Sequence, residues 1–150
     1  MGDKKQWIPA AGFVATIGYA LYMVAQMGAQ GAREPVTGDY SNAAIAEVRN
    51  AQGHSVLRGQ FAPVAEEDDD IERKATLTPV GSDADAAGDA EVEVTKATPT
   101  EQEIEFSIKN VEPGAAFTFV IDGRVIGTTK ADTRGRAEIE VDVARRAAAK

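Results

Sequence analysis

The chain has 150 residues, no cysteine and a formal net charge of −8 at pH 7. Residues 1–35 hold three basic and two acidic side chains, a net of +1, so the remainder carries −9. Such an acidic remainder argues against binding to nucleic acid or to anionic lipid, which both require basic surfaces. The missing cysteines exclude disulfides, a thiol nucleophile and a lipid-modified cysteine. The length suits one domain of about 100 residues plus an anchor.

An uncharged apolar segment, WIPAAGFVATIGYALYMVAQM, occupies residues 7–27. A bilayer core requires roughly 20 apolar residues in a helix, and this segment is long enough. Trp7 stands where an interfacial aromatic residue is expected, and Pro9 falls in the first turn, where its missing N–H is tolerated. The segment therefore predicts a single membrane-spanning helix. Because Lys4 and Lys5 precede it, we expect the N-terminus to be cytoplasmic and the C-terminal domain to lie on the other side of the membrane.

Two other interpretations of residues 7–27 remain open. A cleaved signal peptide also has a basic start and an apolar middle, but its apolar region usually runs about 7–15 residues. The small-residue cleavage sites are also poor, since Ala25-Gln26-Met27 ends in methionine and Ala29-Gln30-Gly31 is only tolerable. A buried helix of a soluble protein is the third interpretation, and nothing downstream has the pattern of a helical partner.

The predicted helix offers one candidate packing face. Small residues spaced four apart let a second helix approach closely in a bilayer, although this pattern also occurs on ordinary lipid-facing surfaces. Two tyrosines one turn apart extend this face into the outer half of the span. The candidate helix-packing residues are Ala11, Gly12, Ala15, Thr16, Tyr19 and Tyr22.

After a glycine-rich stretch, residues 28–43, that predicts a linker, the sequence pattern changes to strict alternation. Alternating apolar and polar residues separated by short turns predict a mainly β domain over residues 44–143. An antiparallel β-sandwich or barrel of about eight strands fits this spacing. A short basic tail, residues 144–150, follows. The predicted strands are 45–49, 54–61, 71–78, 90–95, 103–110, 116–122, 124–129 and 136–143.

Acidic residues occupy the outward positions of several predicted strands. Glu103 and Glu105, for example, alternate with Ile104 and Phe106. A solvated sheet face is the ordinary interpretation, and outward charges also discourage edge aggregation. A docking surface for a basic partner is the alternative. A complementary basic docking surface is predicted near the last two turns, at Arg124, Lys130, Arg134 and Arg136.

The stretch from residue 103 to 143 joins its strands by short turns that contain glycine. In chain order these are Asn110-Val111-Glu112-Pro113-Gly114, Asp122-Gly123, Gly127-Thr128 and Asp132-Thr133-Arg134-Gly135-Arg136-Ala137. This series resembles a bacterial extracytoplasmic β-sandwich module of the immunoglobulin-like or chordin-repeat-like kind. The resemblance covers about a quarter of the chain. The chain lacks the paired cysteines and buried tryptophan of immunoglobulin domains and the histidine-rich segment of chordin-like domains, so for the domain itself the resemblance implies only the fold class.

The sequence offers few residues for catalysis or metal binding. His54 is the only histidine, so no zinc or haem site can be assembled from histidine and cysteine, and no nucleophile motif or phosphate-binding glycine loop occurs. An acidic run, residues 66–70, is expected in a loop, and Asp83, Asp85 and Asp89 lie in another. Neither has the spacing of a calcium loop, so we expect no cofactor and no calcium site.

These patterns, together with the resemblance, favour a non-enzymatic, single-pass accessory subunit of a larger bacterial membrane complex of photosynthetic or respiratory type. The resemblance also implies the bacterial inner membrane as its location, with the N-terminus cytoplasmic and the C-terminal domain periplasmic. We expect other membrane-protein subunits and lipid as its partners. The alternative is a free-standing module, membrane-anchored or secreted, that binds a ligand or cation.

Overall fold

The structure, a computed structural model, describes residues 35–67, 70–96 and 101–144. Regular structure in these ranges is entirely β, which confirms the mainly β prediction. None of these residues belongs to a helix long and apolar enough to span a membrane, and the predicted anchor, residues 7–27, lies outside them. The strands are β1 Ile45–Asn50, β2 Ser55–Gln60, β3 Ala62–Glu67, β4 Asp70–Pro79, β5 Ala87–Thr95, β6 Glu101–Lys109, β7 Ala116–Ile121, β8 Arg124–Lys130 and β9 Ala137–Asp142.

The strands form one antiparallel sheet in the order β8-β7-β1-β2-β4-β5-β6-β9, with β3 paired to β4. The outermost strands of this order, β8 and β9, contact each other. The sheet is therefore barrel-like and nearly closed. Among the described residues, no backbone pairing joins β8 to β9, so this seam is the place where the barrel stays open.

Strand β4 is long because it pairs with two strands along one edge. Its last residues pair with β2, and its first residues pair with β3, while β5 follows most of the opposite edge. The expectation that residues 66–70 form a loop is wrong in part, because Glu66 and Glu67 end β3 and Asp70 begins β4. The pairing of β3 with β4 extends the sheet into this acidic segment. Its acidic composition does not predict a strand.

The core lies between the two sides of the barrel and is built mostly from alternate residues of the strands. On β6, the inward residues Ile104, Phe106 and Ile108 are almost fully buried. The rings of Phe106 and Phe119, which come from β6 and β7, have centroids 5.1 Å apart and are tilted by 53°. This offset geometry is favourable for aromatic pairs and joins opposite sides of the barrel.

Two hairpin turns share one hydrogen-bond pattern and a similar sequence, Asn50-Ala51-Gln52-Gly53 and Asp132-Thr133-Arg134-Gly135. In the first, Asn50 Oδ1 accepts hydrogen bonds from backbone N–H groups two and four residues later, at 3.0 Å each. In the second, Asp132 Oδ1 does the same at 2.8 and 3.0 Å. Each turn ends in a glycine with positive φ, 82° at Gly53 and 72° at Gly135. Turn chemistry therefore accounts for the repeated sequence motif.

The β domain begins earlier than the predicted boundary at residue 44. Residues 35–144 fall within one compact unit, and the described half of the predicted linker packs on the barrel. Tyr40 is only 2% exposed and Ala43 only 3%. We call residues 35–43 the strap.

Candidate functional site

The strap lies at one end of the barrel, which we call the mouth, and two inward-facing polar side chains hold it there. Gln102 lies opposite the buried Val94, and Arg73 lies opposite the buried Val92, so both point to the inner face of the sheet. Both positions break an otherwise apolar inward row. Polar groups on the inner face of a sheet need hydrogen-bond partners, and the strap supplies them.

The partners of Gln102 and Arg73 are backbone groups of the strap. Gln102 Oε1 accepts a hydrogen bond from the Tyr40 N–H at 2.7 Å, and its Nε2 donates to the Gly38 carbonyl at 3.0 Å. Arg73 Nε donates to the Ser41 carbonyl at 2.5 Å. These contacts depend on the course of the strap's main chain, not on its side chains.

The side chain of Tyr40, in the strap, also contacts the barrel. The Arg124 guanidinium lies over the Tyr40 ring, 4.9 Å from the ring centroid, a favourable cation–π arrangement. Gly38 lies against the same guanidinium, and a Cβ at residue 38 would collide with it. The exposed end of Arg124 can move aside, so the stronger constraint on residue 38 is its φ of 137°, which glycine adopts without strain.

Both ends of the strap are fixed by further backbone contacts. At its start, the Ala144 N–H donates to the Val36 carbonyl at 2.8 Å, and Thr37 forms a parallel bridge with Ala144. Where the strap meets β1, the Asp122 carboxylate accepts hydrogen bonds from the backbone N–H groups of Ala44 and Ile45. The strap thus enters beside the end of β9 and leaves beside the β7–β8 turn.

The structure separates the four predicted basic docking residues into two groups. Arg124 begins β8 at the mouth, whereas Lys130 ends the same strand, roughly 20 Å away at about 3.3 Å per residue. Arg134 and Arg136 lie in the turn that follows Lys130, and both are exposed. Three basic residues therefore remain together at one end of the barrel, whereas Arg124 contacts the strap at the other end.

In the β8–β9 turn, the backbone N–H groups of Arg134 and Arg136 are hydrogen-bonded, and their side chains are not needed for these bonds. The Asp132 carboxylate accepts hydrogen bonds from the N–H groups of Arg136 and Arg134, and these bonds lower its pKa below the ordinary value. The arginine side chains project from a turn whose backbone is already satisfied. Substitution of these side chains therefore leaves the hydrogen bonds of the turn in place.

Acidic side chains form rows across the outer face of β4, β5, β6 and β9, which we call the acidic face. One row runs directly across four strands as Glu72, Glu93, Glu103 and Asp142. The next row places Lys74, Glu91, Glu105 and Glu140 side by side. Like charges opposite each other on neighbouring strands are destabilising, so this face has an electrostatic cost.

Lys74 relieves part of this repulsion. Its Nζ lies 2.8 Å from Glu72 Oε1 and 3.3 Å from Glu91 Oε2. The hydrogen bond from Lys74 lowers the pKa of Glu72, whereas burial and the neighbouring Glu72 carboxylate raise the pKa of Glu91. Desolvation and the carboxylates on the neighbouring strands, those of Glu140 and Asp142 foremost, raise the pKa of Glu103.

Other predicted residues contribute no assembled site. His54 is exposed beside the first turn, and Asp83 and Asp85 are exposed in the loop before β5, while Asp89 is exposed on β5. Within the described residues, no group of three or more histidine, aspartate or glutamate side chains is arranged to hold a metal ion. The candidate helix-packing residues, Ala11 to Tyr22, lie outside the described ranges.

Sequence reasoning missed the strap and its partners, although a signal was present. Inward positions on β6 are Ile104, Phe106 and Ile108, so continuing the alternation places the polar Gln102 inside. Likewise, Arg73 stands between inward Ile71 and Ala75 on β4. Polar residues in the inward phase of a strand indicate that another segment covers them.

Comparison with known proteins found no match: no family model, no curated protein and no solved structure resembles this chain.

Proposed function

We propose that this protein is a non-enzymatic accessory subunit of a bacterial membrane complex, of photosynthetic or respiratory type. Residues 7–27 form its single membrane-spanning helix, and the β domain lies on the periplasmic side. The domain contributes binding surface and no chemistry. The helix keeps that surface at high local concentration beside its partners.

The observation that supports this proposal best is the occupied mouth of the barrel. Small β-barrels bind ligands in their mouths, but here the strap fills that position and Tyr40 is 2% exposed. Gln102 and Arg73, the polar groups available to orient a ligand, bind strap backbone instead. A ligand-binding module is the alternative function, and this arrangement disfavours it. Outer surfaces and the predicted helix remain for partner binding.

The membrane-spanning helix rests on the sequence alone. An uncharged segment of this length is unfavourable in water and favourable in a bilayer. Its small-residue face, Ala11 and Ala15 with Gly12 and Thr16, gives a partner helix room to approach. We propose that this face, together with the basic group Lys130, Arg134 and Arg136, contacts the other subunits.

Co-purification in mild detergent from native membranes tests the proposal. The expected result is that the full chain sediments with membranes and elutes with a fixed set of other subunits at high molecular mass. A chain that elutes alone, or that appears in the periplasmic fraction with residues 1–27 removed, would contradict it.

A paired variant assigns the contact surface. Arg134→Glu combined with Arg136→Glu reverses charge on a turn whose backbone bonds come from Asp132, so the fold is retained. Arg58→Glu on the exposed side of β2 is the matched control. Loss of partners in the first variant and retention in the second identifies the turn as the contact.

A further inference from the structure

The mouth binds the strap as a peptide-binding domain binds an extended peptide. Gln102 and Arg73 form hydrogen bonds with main-chain groups of three strap residues. The Val36 carbonyl and the Thr37 bridge add a short parallel pairing beside the end of β9. Main-chain pairing of this kind gives affinity, and a pocket for one side chain gives specificity.

Two strap residues, Tyr40 and Gly38, determine which segments fit the mouth. Tyr40 is buried beneath Arg124, and Gly38 has a φ of 137°, which favours glycine. The pattern that fits the mouth is therefore a segment that bends at a glycine two positions before a tyrosine. None of these contacts requires the segment to be covalently joined to the barrel that binds it.

A short turn joins the strap to β1. The Ala43 N–H bonds to the Tyr40 carbonyl at 3.0 Å and closes a short turn. Immediately after it, the Asp122 carboxylate holds Ala44 and Ile45 at the start of β1. Exchange of the strap would therefore require this turn to open and would leave β1 in the sheet.

We propose that the mouth accepts the strap of a second copy in exchange for its own, which gives a strap-exchanged dimer of the β domain. Each mouth in this dimer keeps the same hydrogen bonds and the same tyrosine contact. Each site is completed by Gly38 and Tyr40 of the other copy. This dimer involves residues 35–144 only, so it is independent of the predicted anchor and of the accessory-subunit role.

Cysteine cross-linking tests strap exchange directly, because the chain contains no cysteine of its own. Thr37 and Ala144 are partners in a β-bridge, so cysteines at these two positions lie close together when a strap is docked. The full-length variants Thr37→Cys and Ala144→Cys are prepared separately in the same detergent, and one of them is isotope-labelled. They are mixed, held a few degrees below the melting temperature and then oxidised. A full-length Thr37→Cys/Ala144→Cys double variant verifies the geometry by forming its disulfide within one chain.

The expected result is a mixed disulfide dimer at least about tenfold more abundant than in a control mixture, because docking raises the effective concentration of the two thiols. The control pairs Thr37→Cys with Ser82→Cys, an exposed position in the β4–β5 loop. Adding Gln102→Leu to the Ala144→Cys copy should reduce the mixed dimer. Equal dimer in both mixtures, insensitivity to Gln102→Leu, or no disulfide in the double variant would overturn the proposal.

Discussion

Gln102 and Tyr40 are 62 positions apart in the chain, and the side chain of the first accepts a hydrogen bond from the backbone of the second at 2.7 Å. The same amide donates to the Gly38 carbonyl. One side chain on the inner face of β6 therefore fixes two strap residues. Because of these hydrogen bonds, residues 35–43, the end of the predicted linker, belong to the folded domain.

Replacing Gln102 by leucine should destabilise the domain by about 1–3 kcal/mol, because the Tyr40 N–H and the Gly38 carbonyl lose their partner in a partly buried position. Unfolding in urea measures the change. Gln60→Leu, at an exposed position on β2, makes the same chemical change and should cost less than about 0.5 kcal/mol. Equal losses in the two variants would show that Gln102 does not hold the strap.

Tyr40→Ala should cost about 3–5 kcal/mol, since it removes a fully buried aromatic side chain. Tyr40→Phe should be nearly neutral, because the hydroxyl lies a long 3.5 Å from its acceptor, the Thr37 carbonyl. Arg124→Ala should cost about 0.5–1 kcal/mol through the lost cation–π contact. A double-mutant cycle measured by urea unfolding checks the pair. If Arg124→Ala costs as much with alanine at residue 40 as with tyrosine, the contact contributes nothing.

The strands were predictable because a half-buried sheet imposes a period of two, and the turns because asparagine, aspartate and glycine adopt the required conformations. Asp122 and Gly123 illustrate this, with φ of 48° and 78° in the predicted hairpin turn. The strap was not predicted because its contacts are far away in sequence. Its residues have no periodicity of their own, and only Gln102 and Arg73 in the inward phase indicated that something covers them.

The matching turns at Gly53 and Gly135 allow a controlled test of local packing. Alanine at either position meets the same backbone strain, since φ is 82° and 72°, at a cost of about 1–2 kcal/mol. At Gly135 the new Cβ also collides with the Val111 carbonyl oxygen, whereas nothing lies within 4 Å of it at Gly53. Gly135→Ala should therefore lower the melting temperature more than Gly53→Ala. Equal effects would show that the β6–β7 turn moves aside freely.

The acidic face predicts an unusual pH dependence of stability. The raised pKa values of Glu103 and Glu91 mean that the folded state binds protons more tightly than the unfolded state, whose ordinary value is 4.5. Stability should therefore increase as the pH falls from neutral toward 4.5. Glu72, Asp39 and Asp132 have lowered pKa values, so their contribution is lost as the pH falls below 4.5 for Glu72 and below 3.8 for the aspartates.

Thermal melts between pH 3 and pH 8 should accordingly show a maximum on the acidic side of neutrality. At pH 7, raising the salt concentration from about 0.01 M to about 1 M should increase the melting temperature, because screening weakens the repulsion. Glu103→Gln should stabilise the domain at pH 7 by about 0.5 kcal/mol and flatten both trends. The control Glu112→Gln alters an exposed turn residue outside the acidic face. A melting temperature that falls steadily from pH 8 to pH 5 would contradict this explanation.

The predicted helix can be tested one face at a time. At 100° per residue, the four small residues from Ala11 to Thr16 lie on one side of a helix, and Ala10 lies opposite the middle of that side. Ala11→Leu combined with Ala15→Leu should release the co-purifying subunits, because the added side chains prevent close approach of a second helix. Ala10→Leu makes the same substitution toward lipid and should leave the complex intact. Both variants should remain in the membrane fraction, since leucine lengthens no loop and adds no charge. If both retain their partners equally, this face contacts lipid alone, and the β domain must account for the binding.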